Sequence, residues 1–128
     1  MKSIVTGGAG FIGSHLVDKL LDIGHEVIVL DNFSTGRKEN LSHVDAQIKL
    51  VECDLSIKGE WIKEFDQVDW VFHLASLADI VPSIQNPESY FQSNVDATFY
   101  VLEATRHANV KRFVYSASSS CYGIPDKY

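Results

Sequence analysis

The chain has few cysteines, no basic excess and no long apolar run, and each absence narrows its possible functions. The net charge of −6 argues against nucleic acid as the main partner. No apolar run reaches the length of a membrane span, so we expect no membrane partner either. Cys53 and Cys121 lie far apart and fit no metal-binding spacing, and no His/Cys/Asp cluster suggests a metal site. With no export signal before the first apolar run, two distant thiols indicate a reduced, cytoplasmic protein.

Short apolar runs alternate with amphipathic stretches along the whole chain. The runs predict strands at Ser3–Thr6, Val27–Leu30, Ile48–Glu52, Trp70–Leu74 and Phe113–Ser116, several of them apolar enough to be parallel strands covered on both faces. Helical patterns occupy Phe11–Ile23, a short stretch within Ile57–Phe65, and Pro87–Ala108. The length fits one domain, residues 1–128. The order of elements predicts an α/β fold with a doubly wound parallel sheet of Rossmann type.

The longest predicted helix combines an apolar stripe with one polar residue beside it. We predict that Phe91, Val95, Phe99 and Leu102 face inward. Asn94 lies on the same flank, where a buried amide without partners would cost about 1–3 kcal/mol. We interpret Asn94 as a clamp between this helix and a nearby loop rather than as a residue that takes part directly in catalysis.

A glycine-rich turn, GGAGFIG at Gly7–Gly13, joins the first strand to the first helix. Gly7 permits the tight turn, Gly10 lets the backbone approach a phosphate, and Gly13 lets the helix press against the strand. The free N–H groups and the dipole of the first helical turn attract an anion. Asp31 lies about 20 residues further on, where a carboxylate meets the ribose hydroxyls of a dinucleotide. The turn therefore predicts a dinucleotide site, the alternative being a strand–turn–helix with incidental glycines.

Five segments occur in an order and spacing that resemble one family. They are TGGAGFIGSHLVDKLL, VLDNFSTG, ECDL, HLAS and YSASSSCYG, and they extend from Lys2 to Gly123. Together they resemble the NAD-dependent epimerase/dehydratase family, the extended short-chain dehydrogenases. The resemblance implies NAD as the cofactor, a UDP-sugar as the substrate, and hydride transfer through a 4-keto sugar intermediate.

The same resemblance assigns roles to residues that follow the predicted strands. Gly7, Gly10, Phe11, Ile12 and Gly13 are expected to cradle the NAD pyrophosphate, Asp31 and Asn32 to bind the adenosine ribose, and Asp54 and Leu55 to border the adenine. Ser34, Thr35 and Gly36 are placed around the adenosine, and Leu74, Ala75 and Ser76 near the middle of the cofactor, with Asn94 behind them. Ser116 is expected to contact the cofactor, and Ser118 matches the catalytic Ser/Thr of the family.

Asp31 also favours NAD over NADP. A carboxylate accepts hydrogen bonds from both ribose hydroxyls and repels a 2′-phosphate. Arg37 and Lys38 would favour a phosphate, but they lie further along the loop.

The family's catalytic Tyr-x-x-x-Lys pair does not occur in this sequence. Tyr122 is followed four residues later by Asp126 and Tyr115 by Ser119, while Tyr128 is the final residue. In the family, the tyrosinate removes the sugar hydroxyl proton as NAD takes hydride. We therefore expect the N-terminal part of a longer enzyme, without the substrate domain. Because a positioned acid–base group supplies about 10²–10⁴ in rate, we expect this part to be inactive alone.

Two further expectations follow from the resemblance. The sheet should be incomplete at its C-terminal edge, where Phe113–Ser116 would be an exposed apolar edge that pairs with other chains, so we expect a homo-oligomer. Ser119 and Ser120 stand where the family's dehydratases carry an Asp-Glu pair, which favours 4-epimerisation over dehydration. A sugar-nucleotide dehydratase and a non-catalytic NAD-binding sensor remain as alternatives.

Overall fold

The fold is built around a five-stranded parallel sheet. The computed structural model describes residues 1–123, apart from the side chains of Ser119 and Ser120. The strands are β1 (Lys2–Thr6), β2 (Glu26–Asp31), β3 (Ile48–Glu52), β4 (Trp70–His73) and β5 (Arg112–Tyr115). They lie in the order β3-β2-β1-β4-β5, and every neighbouring pair is parallel. The chain reverses its direction of sheet growth between β1 and β4, which is where open α/β sheets bind ligands.

The central strands are apolar on both faces of the sheet. Ile4 pairs with Ile28 and Val5 with Val29 in the register of β1 and β2. The two isoleucines belong to one core cluster and the two valines to the other. Because successive side chains of a strand point to opposite faces, each face of the sheet needs its own covering layer.

The two faces of the sheet are covered by different helices. Helix α1 (Phe11–Asp22) packs Val17 and Leu20 against one face. Helix α4 (Ala97–His107) packs against the other face, together with Trp61 and Phe65. These two aromatic residues belong to a 3₁₀ helix, Glu60–Phe65, that replaces the predicted helix within Ile57–Phe65; the extended residue Gly59 precedes it. The doubly wound parallel α/β architecture predicted from the sequence is thus confirmed.

The predicted helix Pro87–Ala108 is present, but it changes its winding part-way. It consists of α3 (Pro87–Phe91), a π-helical turn (Gln92–Asp96) and α4. A further helix, α2 (Ile80–Gln85), precedes it and is not among the predicted helices. Pro82 lies in the first turn of α2, where a missing N–H breaks no helical hydrogen bond. The remaining described elements are 3₁₀ helices at Lys38–Leu41, Asp45–Gln47 and Ser119–Tyr122.

The inward stripe predicted for this helix is wrong. Phe91, Val95, Phe99 and Leu102 are 57, 49, 57 and 43 % exposed. The face that packs on the sheet instead carries Ala97, Val101 and Ala104, all buried. These residues share one face at helical spacing, and their small side chains let the helix lie close to the strands. The prediction selected the large apolar residues of the helix, whereas packing on the sheet selected the small ones.

Strand β5 forms one edge of the sheet within the described residues. Val114 and Tyr115 are exposed there, as expected for an apolar edge strand. Between residues 1 and 123, none of the helices has the length and apolar character needed to cross a membrane.

Candidate functional site

The turn after β1 requires glycine at two positions. Gly7 has φ +67°, and a Cβ atom on it would lie 2.8 Å from the backbone nitrogen of Ala75. A Cβ on Gly13 would lie 2.2 Å from the carbonyl oxygen of Gly7. Gly13 therefore lets α1 press against the glycine turn that directly follows β1.

The first turn of α1 opens toward solvent without a side-chain cap. Gly10 is the N-cap residue, no side chain caps the helix, and no acidic residue lies in its first turn. A Cβ on Gly10 would contact Gly7 O at 3.3 Å and no other atom within 4 Å. The first N–H groups of a helix have no acceptor within the helix, so this end can receive an anion through its backbone.

Asp31 connects the glycine turn to the loop that follows β2. Its carboxylate is buried and accepts hydrogen bonds from Ala9 N (Oδ2, 2.9 Å) and Phe33 N (Oδ1, 2.8 Å). The carbonyl oxygen of Ala9 in turn accepts from Arg37 N at 3.1 Å and from Asn40 Nδ2 at 2.8 Å. Neither the part played by Ala9 nor this structural role of Asp31 was predicted from the sequence. Each carboxylate oxygen still has a lone pair for a further donor.

Two other predicted residues shape the loops in which they lie. Asn32 Oδ1 accepts from Ser34 N at 3.0 Å, and Asp54 Oδ1 accepts from both the backbone N (2.9 Å) and the Oγ (2.7 Å) of Ser56. Such Asx turns fix the path of a loop through a side chain. The loops after β2 and β3 are therefore preformed beside the glycine turn.

A cavity of about 400 Å³ lies along the carboxyl ends of the strands. All but one of the residues predicted to bind the cofactor line it: Gly7, Gly10, Phe11, Ile12, Gly13, Asp31, Asn32, Ser34, Thr35, Gly36, Asp54, Leu55, Leu74, Ala75, Ser76 and Ser116. The exception is Asn94. Five residues that were not predicted also line this cavity: Leu30, Cys53, Ala78, Ser93 and Ala97. Leu30, Cys53 and Ser93 directly precede predicted residues, whereas the helix pattern gives no signal for Ala97.

The lining of this cavity has little positive charge. As far as the chain is described, it includes the carboxylates of Asp31 and Asp54 but no lysine or arginine. An anionic ligand would therefore depend on backbone N–H groups and the dipole of α1.

The predicted clamp at Asn94 is confirmed as a contact between helix and loop. Asn94 lies in the π-helical turn; its Oδ1 accepts from Leu77 N at 2.8 Å and its Nδ2 donates to Leu77 O at 2.9 Å. It thus fixes the loop after β4, which borders the cavity at Leu74, Ala75 and Ser76. Its predicted role in cofactor binding stays a prediction.

A second cavity, of about 340 Å³, shares a wall with the first. Leu74, Ala75, Ser76, Ala78 and Ser116 line both cavities, while Asn94 and Ser118 line the second. The predicted catalytic Ser118 is exposed, and its carbonyl oxygen accepts from Cys121 N at 3.2 Å.

Three positions near the end of the chain, considered above for the Tyr-x-x-x-Lys pair, add nothing to this site. Tyr122 is almost fully exposed, and Asp126 and Tyr128 lie outside the described residues.

Comparison with known proteins agrees with this geometry. The family model described as "NAD dependent epimerase/dehydratase family" matches residues 3–127. The chain belongs to this family.

Several members of the epimerase/dehydratase family resemble the chain. UDP-glucuronic acid decarboxylase 1 of Arabidopsis thaliana is 42% identical and UDP-glucose 4-epimerase of Haemophilus influenzae is 37% identical; each alignment covers 98% of this chain but only 28% and 39% of the relative. A crystal structure of Thermus thermophilus UDP-glucose 4-epimerase in complex with NAD superposes with a TM-score of 0.90 at 36% identity. That alignment covers 100% of this chain and 42% of the Thermus chain. The chain thus spans well under half the length of these relatives.

Burial keeps two titratable side chains near the cavities of this family member neutral. Burial, together with the nearby carboxylates of Asp31, Asp54 and Glu64, raises the pKa of the Cys53 thiol to about 11. Burial also lowers the pKa of His73 to about 4. His73 is therefore a neutral, hydrogen-bonded core residue.

Proposed function

We propose that this chain binds NAD and forms the cofactor-binding part of a nucleotide-sugar 4-epimerase. The observation that supports this most directly is the preformed cavity, which joins an uncapped helix N-terminus at one point to a buried acceptor carboxylate at another. The complex of the related Thermus epimerase with NAD supports the same assignment. When bound, NAD supplies the hydride acceptor for oxidation of a sugar carbon.

The residues present fit such a cofactor by their chemistry. The space beside Gly10 is open to a phosphate, and the N–H groups of the first turn of α1 are available to bind it. The free lone pairs of Asp31 suit the ribose hydroxyls, and Asp54 suits the amino group of the adenine. In the second cavity, Ser118 would place a hydroxyl beside the substrate oxygen.

The charges around the adenosine side of the cavity favour NAD over NADP. Asp31 is buried and would face a 2′-phosphate with a negative charge. The ammonium of Lys38 bonds Glu52 Oε2 at 2.8 Å and lies 4.7 Å from the centroid of the Phe33 ring, so it is already engaged. Hydrogen bonds to a charged group contribute about 1.5–3 kcal/mol each, which makes Asp31 the main determinant.

We further propose that residues 1–128 bind NAD without turning substrate over, because they contain no Tyr-x-x-x-Lys pair. A UDP-sugar is the proposed substrate of the whole protein. Ser119 and Ser120 favour 4-epimerisation over dehydration, while the similarity to the Arabidopsis decarboxylase keeps decarboxylation as a reaction to be tested.

Calorimetric titration of the folded chain with NAD and with NADP tests cofactor binding. We expect NAD to bind more tightly, and Asp31→Asn to weaken NAD and narrow the difference between the two cofactors. Asp22→Asn is the matched control, because it removes the same charge from an exposed residue. It should leave both affinities unchanged. No heat with NAD at millimolar concentration would refute the proposal.

The reaction requires a longer chain for its test. A polypeptide that continues this sequence through its Tyr-x-x-x-Lys pair should interconvert UDP-glucose and UDP-galactose in the presence of NAD. Release of CO₂ from UDP-glucuronate instead would identify a decarboxylase, and NAD binding without any sugar chemistry would identify a sensor.

We also propose that copies of the chain associate along the free side of β5, where Val114 and Tyr115 are exposed. A stable monomer in size-exclusion chromatography would contradict this. A cytoplasmic location remains a proposal that rests on the sequence argument from Cys53 and Cys121, and fractionation of cells that produce the protein would test it.

A further inference from the structure

A chain of hydrogen bonds runs beneath the wall that separates the two cavities, and it begins at the hydroxyl of Thr6. This oxygen accepts from Leu74 N and from Ala75 N, each at 3.2 Å, and lies 2.7 Å from His73 Nδ1. A hydroxyl has two acceptor lone pairs and one proton. The N–H of Leu74 is shared with the carbonyl oxygen of Thr6, also at 3.2 Å. The direction of the bond to His73 therefore follows from the other end of the ring: Thr98 donates to the carbonyl oxygen of Asn94, so its hydroxyl accepts from His73 Nε2–H, and Nδ1 accepts the proton of Thr6.

The other ring nitrogen of His73 extends the chain into the long helix. With Nδ1 as the acceptor, the neutral ring carries its proton on Nε2, 2.9 Å from Thr98 Oγ1. Thr98 donates its own proton to Asn94 O at 2.8 Å, and the side chain of Asn94 bonds both backbone groups of Leu77. The hydrogen bonds from Thr6 to His73, from His73 to Thr98 and from Thr98 to Asn94 thus all point the same way along the series.

This series of hydrogen bonds connects both ends of the segment Leu74–Ala78 to the core. Thr6 fixes Leu74 and Ala75 at the start, and Asn94 fixes Leu77 near the end. His73 joins these two anchors through one fixed tautomer. The segment supplies Leu74, Ala75, Ser76 and Ala78 to both cavities.

We propose that His73 is a positioning residue, whose Nε2–H tautomer sets the place of the segment Leu74–Ala78 and thereby the affinity for the cofactor. The effect on affinity rests on the proposed NAD binding, whereas the effect on the segment does not. The ring of His73 also stacks on Tyr115, with centroids 5.9 Å apart. Such packing is possible in either tautomer, so a residue that only filled space would not need the proton on Nε2.

A second buried histidine of the chain provides a matched control. His25 Nδ1 also bonds a β1 hydroxyl, Ser3 Oγ, at 2.8 Å. It precedes β2, at the opposite end of the sheet from the cavities, and it lines neither of them. His25→Phe therefore removes a comparable buried bond without touching the segment.

Two measurements on the whole chain test the proposal. ¹⁵N NMR of the wild-type imidazole rings at about pH 6 should show His73 neutral, with the proton on Nε2. Amide hydrogen exchange at Leu74, Ala75 and Leu77 should accelerate at least about fivefold in His73→Phe and less than twofold in His25→Phe. A proton on Nδ1, or equal exchange in the two variants, would overturn the proposal.

Cofactor affinity gives the third readout. With NAD as the titrant, we expect the Kd to rise about tenfold in His73→Phe and to stay within about twofold in His25→Phe. His73→Gln, whose amide can still donate toward Thr98, should recover part of the loss. If the wild type does not bind NAD, the proposed function fails, while the exchange data still decide whether His73 positions the segment. If the wild type binds and both phenylalanine variants bind equally well, the inference is refuted.

Discussion

Replacing Gly7 by alanine tests how tightly the glycine turn and the loop after β4 fit together. A Cβ at this position would lie 2.8 Å from Ala75 N, 2.9 Å from Ala75 Cα and 2.9 Å from the carbonyl carbon of Leu74. All three are backbone atoms, so no side-chain rotation can relieve the contact. The residue also has φ +67°, a left-handed conformation that disfavours any side chain.

Gly24 separates these two effects, because it shares only the second. Its φ is +81°, but a Cβ there would have no atom within 4 Å. The left-handed conformation costs an alanine about 1–2 kcal/mol, and an overpacked contact adds about 1–3 kcal/mol. We therefore expect Gly24→Ala to lose about 1–2 kcal/mol of unfolding free energy and Gly7→Ala to lose about 2–5 kcal/mol.

Urea denaturation of the three proteins, followed by circular dichroism, measures these losses. Titration with NAD provides a second comparison, since Gly7→Ala can relieve its contact only by moving Ala75, which lines both cavities. We expect weaker NAD binding in Gly7→Ala and unchanged binding in Gly24→Ala. Equal losses of stability in both variants would refute the reasoning, because the loop would then yield to the added methyl group without cost.

Three other outcomes are expected from the titratable and clamping residues. The pKa of His73 falls from 6.5 when unfolded to about 4 when folded, so the unfolded chain binds more protons between these values. Stability should fall by up to about 3 kcal/mol as the pH drops from 6.5 to 4, and urea midpoints of His73→Phe should lack this component. Iodoacetamide near pH 8 should alkylate the exposed Cys121 well before Cys53, whose thiol pKa of about 11 leaves little thiolate; similar rates in mass spectrometry would contradict the burial of Cys53. Asn94→Leu should lose about 1–3 kcal/mol in urea unfolding because the backbone groups of Leu77 lose their partners, and an unchanged midpoint would show that water replaces the amide.

The sheet could be predicted from the sequence because its strands are short apolar runs bounded by turn residues. Ile4, Val5, Ile28 and Val29 are buried whichever face they point to, so no choice of face was needed. The glycine turn was equally readable, since no residue other than glycine fits Gly7 or Gly13 without a backbone clash. A backbone position that tolerates no Cβ atom is occupied by glycine, so this steric requirement can be read from the sequence.

The helix that covers the second face left a weaker trace. Phe99 and Leu102 are large apolar residues of α4 that stay exposed, whereas Val101 and Ala104 belong to the core cluster, against which Tyr100 packs in part. A pattern based on hydrophobicity alone ranks phenylalanine above alanine, whereas the distance between helix and sheet depends on side-chain volume. The hydrogen bonds of Ala9 could not be predicted at all, because they depend on where the loop after β2 returns.

Some residues that shape the cavities act on the first cavity alone, whereas others hold the wall that both cavities share. The part of the first cavity that we propose for the adenosine depends on Asp31 and on Gly36, whose Cβ would lie 2.9 Å from Ala9 Cβ; both residues line the first cavity alone. The shared wall depends on Gly7 and Thr6, which meet the segment after β4 at Leu74 and Ala75, and on Asn94, which meets it at Leu77. A substitution at Asp31 or Gly36 should therefore weaken cofactor binding without altering the second cavity. A substitution at Gly7, Thr6 or Asn94 must alter both cavities together, because the same backbone atoms line each of them.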